Sequence, residues 1–169
     1  MKCLTVCNPW PVLIFWTAEE LRCGDTPKRV ENRNWPTDFR GQLLIHAGKS
    51  KNWLRPGDEA RYPEMLYGYV IGTVDLIACV AKTWKTPEEG REMLPAKLAW
   101  VADHAHAHGD YCWVLDNPRR FSVPVKARGQ QGLFDLPGDW LEKRHETPAE
   151  RKERLFDLTE SSGFPLHFA

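Results

Sequence analysis

The run GYVIGTVDLIACV, residues 68–80, limits what this chain can fold into more than any other stretch. Val, Ile and Thr are stiff at χ1 and fit a pleated surface, so the run predicts a central β-strand. A carboxylate inside such a strand, Asp75, needs a partner, an exposed face or a bulge. It is therefore a candidate site residue as well as a structural one.

The other strands are shorter. Residues 2–7 alternate weakly. Residues 29–35 and 42–47 are β-prone runs separated by Pro36, Asp38 and Gly41, which reads as strand, turn and strand. Residues 111–115 put Tyr111, Trp113 and Leu115 on one face, with Trp113 read as core. Helical signals lie between these strands. Asn8 and Pro9 predict a helix start, and Trp10, Leu13, Ile14, Ala18 and Leu21 follow at helical spacing up to a stop at Gly24. Residues 49–63 read as a loop with one helical turn. Thr86-Pro87-Glu88-Glu89 fits a capping box, with a helix interrupted at Pro95, and Thr147-Pro148-Ala149-Glu150 repeats the pattern before a terminal helix to Leu158. Strands and helices in this order predict an α+β fold. With 169 residues, 8 Trp and 7 Phe, one domain can build a substantial core.

Charge is neutral in total and uneven in place. Residues 28–55 carry seven Lys/Arg against two Asp/Glu, whereas residues 135–160 carry eight acids against five bases. The first segment suits an anion such as a nucleic-acid backbone, although charge runs also serve simply as solvated faces. Five cysteines form neither a CxxC pair nor an even framework, which fits a reducing compartment. The start lacks a signal-peptide core and no apolar run reaches membrane-spanning length, so the expectation is a soluble cytoplasmic protein with no membrane contact.

Alternation along 29–35 puts Glu31, Arg33 and Trp35 on one strand face, just after Lys28. These residues form either a surface ion pair beside an aromatic or the floor of a polar pocket. Trp10, at the helix start, is core or pocket wall. His46 ends an apolar strand and is a satisfied core histidine or a general base. Residues 117–132 hold Arg119, Arg120, Lys126 and Arg128 without an acid, together with Gly129, Gly132 and paired Gln residues. That composition predicts a basic, backbone-open loop suited to phosphate contacts. His104, His106 and His108 would share a face if extended. No Cys or carboxylate set with ligand spacing accompanies them, so neither a metal nor a cofactor is expected.

Four of these segments, in order, resemble an ASCH domain, a member of the PUA-like superfamily: NPWPVLIFW, KRVENRNWPTDFRGQLLIHAGK, YVIGTVDLIACV, and YCWVLDNPRRF followed by VKARGQQGLFDLP. The resemblance covers residues 1–137 and leaves 138–169 as a C-terminal helical extension. It implies a closed mixed β-barrel of about six strands flanked by helices, with a pocket between helix and barrel. The family motif Gly-x-Lys-x-x-Glu-x-Arg matches Lys28, Glu31 and Arg33. Gly24 precedes Lys28 by four residues rather than two, which implies a different local turn.

The resemblance further implies a cleft that binds RNA or modified nucleotides. In that reading Trp10 and Trp35 stack on a base and Arg33, His46, Arg119, Arg120 and Arg128 serve the nucleic acid. Two hydrolytic activities attributed to the family are alternatives: amide hydrolysis of acylated cytidine, and ribonuclease action. The candidate catalytic set is then Lys28, Glu31 and Asp75, with Glu31 standing where the amidohydrolase branch carries Thr. A third reading is a protein interaction module that docks through the C-terminal helix.

Overall fold

The structure is a computed structural model that describes residues 1–137. The extension at 138–169, with the helix predicted after Thr147 and most of the acidic stretch, lies outside the described residues. Six strands form one mixed sheet: β1 (Lys2–Val6), β2 (Val30–Arg33), β3 (Gly41–Ala47), β4 (Tyr69–Ala81), β5 (Tyr111–Lys126) and β6 (Leu133–Asp135). Their order is β2-β5-β4-β3-β1-β6, with β1 and β3 parallel and every other pair antiparallel. The sheet curls into a half-barrel. Register shifts help to curl it: three interrupt the β4–β5 pairing and one the β3–β4 pairing, and each bulge adds local twist. The barrel is not closed, because no pairing joins β2 to β6 among the described residues.

The predicted central strand is β4, flanked by β5 and β3. One core cluster gathers Leu4, Ile14, Phe15, Leu43, Ile45 and Trp113, so helix α1 (Trp10–Phe15) packs on the sheet there. A second cluster joins Val30, Cys112 and Val114 of the sheet to Trp84, Val101 and Ala102. Those last residues border or belong to helix α3 (Pro87–Met93) and the 3-10 helix Ala96–Asp103. The β2–β5 region is thereby covered on both faces. Thr86 caps α3 as predicted, its side chain accepting from the Glu89 N–H. The helical turn expected in 49–63 is α2 (Asp58–Arg61).

Three local expectations are corrected. Helix α1 ends at Phe15 rather than running towards Gly24, because Trp16 turns extended and is buried with Tyr62 and Met65. Beyond it, the Thr17 N–H donates to the Glu20 carboxylate at 2.8 Å, and such local bonds compete with continued helix. Asn8 does not cap this helix; its side-chain amide donates to the Leu66 carbonyl at 2.8 Å. Strand β5 does not stop at Leu115 but continues to Lys126 through Asp116-Asn117-Pro118. Asn117 takes φ 49°, and the β4–β5 register shifts nearby, so these turn-forming residues encode an irregularity within a strand. The basic loop is correspondingly short, and Arg119 and Arg120 lie on β5 opposite Thr73 and Gly72.

Candidate functional site

Strand β2 pairs with β5, placing Glu31 opposite Trp113 and Arg33 opposite Tyr111. Alternation then sends Val30 into the cluster with Trp84, while Glu31 and Arg33 face the other way. Lys28, Glu31 and Arg33 form a linear network. Lys28 Nζ lies 3.1 Å from Glu31 Oε2, and Arg33 Nη2 lies 3.0 Å from Glu31 Oε1. Lys28 and Glu31 are buried, and the Arg33 side chain is about a quarter exposed at 23%.

The remaining bonding capacity of the two cations differs. Lys28 Nζ also donates to the Val30 carbonyl at 2.8 Å and stands 5.3 Å from the centre of the Trp10 ring. Its three N–H groups are thus matched by a carbonyl, a carboxylate and a π face. Arg33 Nη2 donates to the Thr5 carbonyl at 2.9 Å, but its Nε is buried without a partner. A buried orphan donor beside a charged network marks a place where water or ligand can complete the bonding.

None of Lys28, Glu31 and Arg33 lines a hollow itself, but each cation contacts a residue that does: Arg33 the Thr5 carbonyl and Lys28 the Trp10 ring. Trp10, Trp53, Tyr62, His106, His108 and Arg55 line a cleft of about 320 Å³, at the small end of ligand-site volumes. Trp53 is 66% exposed there, and Trp10 is half-buried with its ring edge-on to His106 at 5.4 Å. The second hollow, about 730 Å³, is lined by Thr5, His46, Lys49, Lys126, Arg128 and Gly129 among others. Thr5 borders one and Trp10 the other. The segment between them carries the Arg33 contact at one end and the Lys28 contact at the other.

His46 is buried at the floor of the second hollow, where its Nε2 lies 3.1 Å from the Ala127 carbonyl and its Nδ1 lies 3.3 Å from Thr5 Oγ1. A carbonyl only accepts, so Nε2 carries the proton and Nδ1 accepts from Thr5. Burial holds the His46 pKa below the usual imidazole value, in keeping with that neutral tautomer.

Other candidates take separate positions. Trp35 is half-buried, edge-on to Trp113 at a centroid distance of 4.6 Å, and the Trp113 indole donates to its carbonyl at 3.3 Å. Asp75 is on β4, which is separated from β2 by β5. Its carboxylate accepts from Asn117 Nδ2 at 2.8 Å and pairs with Arg119 at 3.5 Å, not with Lys28 or Arg33. Arg120 pairs with Glu20 at 3.5 Å. Of Arg119, Arg120 and Arg128, Arg128 alone lines the second hollow, beside Lys126 of the same segment.

The three imidazoles diverge in their bonding. His106 Nε2 contacts the Thr26 carbonyl, His104 Nδ1 accepts from the His106 N–H, and His108 Nε2 contacts the Asn32 side-chain amide. Burial and the neighbouring His106 push the His104 pKa down to about 4. Among the described residues, no group of three or more His, Cys, Asp or Glu side chains is arranged to hold a metal ion.

Sequence reasoning passed over Trp53, Arg55, Tyr62 and Lys49. Their common signal is an aromatic-rich, basic loop at 49–63, where Trp53 has no periodic partner to pack against. Among the described residues, no helix is long and apolar enough to cross a membrane. No protein-family model matches the chain, and no curated protein matches it.

Proposed function

We propose that this chain is an ASCH-type, PUA-like domain that binds single-stranded RNA or a modified nucleotide, with a base seated in the cleft against Trp10. The observation that carries the reading is the hold on Trp10. Its ring is fixed by Lys28 and by His106, while Trp53 and Tyr62 border the same opening. Aromatic surfaces around a slot of this size suit a planar heterocycle, and each base–aromatic stack contributes about 1–3 kcal/mol. The occupied motif positions Lys28, Glu31 and Arg33 support the family reading through their burial and mutual pairing.

Binding is favoured over hydrolysis because the bonding capacity of Lys28 is already used within the protein and Asp75 pairs elsewhere. Arg33 keeps an unpaired donor in the network, its Nε, and that atom is buried. The test is a titration with short single-stranded RNA and with modified nucleosides, observed through tryptophan indole N–H resonances. Selective, saturable shifts of the Trp10 and Trp53 signals support the proposal. Shifts confined to other tryptophans would overturn it, and turnover of an acylated cytidine lost in Glu31→Gln would favour the amidohydrolase alternative.

A further inference from the structure

The second hollow is lined by three cations and no carboxylate: Lys49 lies just after β3, Lys126 ends β5, and Arg128 lies in the loop after it. Among the described residues none of the three has a carboxylate oxygen within 4 Å, although ten other ion pairs are formed. Like charges gathered without counter-charge repel one another, and an anion between them relieves that repulsion.

The three side chains are exposed, and the backbone that carries them is held in place. Gly68 N–H donates to the Ala47 carbonyl at 2.7 Å, and the Ala127 N–H donates to the Gly68 carbonyl at 2.9 Å. This stitches together the backbone beside all three cations. The Lys49 side chain lies so close to Gly68 that a Cβ there would stand 2.6 Å from Lys49 Cε. Gly129 presses on the floor, where a Cβ would come within 2.5 Å of His46 Cε1 and 2.8 Å of Thr5 Oγ1. His46 in turn ties down the loop through the Ala127 carbonyl.

We infer that this hollow is an oxyanion subsite that takes a phosphate group, with Lys49, Lys126 and Arg128 as its ligands. Arg128 offers paired N–H donors and the lysines act as point charges. The inference does not depend on base binding at Trp10, since inorganic phosphate carries no base. The same chemistry is presented by free phosphate and by a nucleotide.

The experiment is calorimetric titration of the full chain with inorganic phosphate, in wild type, Lys126→Ala, Arg128→Ala and Lys97→Ala. Lys97 is exposed on the 3-10 helix and controls for lost net charge. Expected are saturable binding to wild type and Lys97→Ala, and affinity about tenfold weaker for Lys126→Ala and for Arg128→Ala. Phosphate should also raise the melting temperature of wild type more than that of Arg128→Ala, a readout that exposes any misfolded variant. Absence of saturable binding, or equal loss in all three variants, overturns the inference. A nucleoside 5′-monophosphate that displaces phosphate at lower concentration supports it and identifies a nucleotide as the source. Equal competition supports it with free phosphate as the ligand.

Discussion

Lys28 and Glu31 form an ion pair 3.1 Å long in which both side chains are at least nine-tenths out of solvent. Desolvating two charges is costly, and the Val30 carbonyl, Trp10 and Arg33 offset that cost by completing the bonding on either side. Removing the charge of Glu31 leaves Lys28 buried beside Arg33 with no counter-charge between them. Glu31→Gln should therefore destabilise the fold by about 3 kcal/mol in a denaturant titration. A stability equal to wild type would show that the network is solvated.

Trp35 and Trp10 differ in what they hold. Trp35 packs edge-on against the fully buried Trp113, so Trp35→Ala should lower stability by roughly 2 kcal/mol in thermal or denaturant unfolding. Its effect on ligand affinity should be small once the fraction folded is taken into account. An unchanged midpoint would contradict the packing role.

Gly72 sets the distance between α1 and the central strand. A Cβ there would lie 2.5 Å from both Phe15 Cε1 and the Arg119 carbonyl oxygen, and the latter is backbone that cannot step aside. Gly72→Ala should cost about 1–3 kcal/mol, seen as a lower melting temperature. The entry to the Trp10 cleft should shift with α1.

Acid should weaken the fold in a particular window. Burial holds His46, His104 and His106 below the usual imidazole pKa, His104 down to about 4. In the unfolded chain these groups take up protons near 6.5. Between about 6.5 and about 4 the unfolded state binds more protons, so stability is complete above that window and declines as pH falls through it. His104→Asn should make the decline shallower by on the order of 1 kcal/mol, a figure reduced for the partial exposure of the ring. Melting curves across this range check it; identical slopes in variant and wild type would contradict it.

The sequence was most legible where local pattern and tertiary demand agree. β4 is apolar and β-branched because it is covered by packing, and Thr86 caps α3 through a bond to Glu89 that spans three residues. The shared face of Glu31 and Arg33 followed from alternation along one strand, whereas Lys28, which precedes β2, joined them only through the motif that the resemblance supplies. What failed depended on distant partners. Asp116-Asn117-Pro118 looks like a turn, but β4 pairs on both sides of it and carries the strand onward. Asp75 looked like a partner for Glu31, yet β5 intervenes, an ordering that no local residue encodes. The cleft wall from Trp53 to Tyr62 was hidden because loop residues acquire a role only when the fold carries them opposite Trp10.

The most direct measurement is fluorescence anisotropy of a labelled single-stranded oligoribonucleotide, titrated with wild type and Trp10→Ala at several salt concentrations. Saturable binding that weakens with salt, with Trp10→Ala weaker by about 1–3 kcal/mol at each concentration, is the predicted result. No binding at low salt, or equal affinity of the two proteins, would contradict a base seated against Trp10.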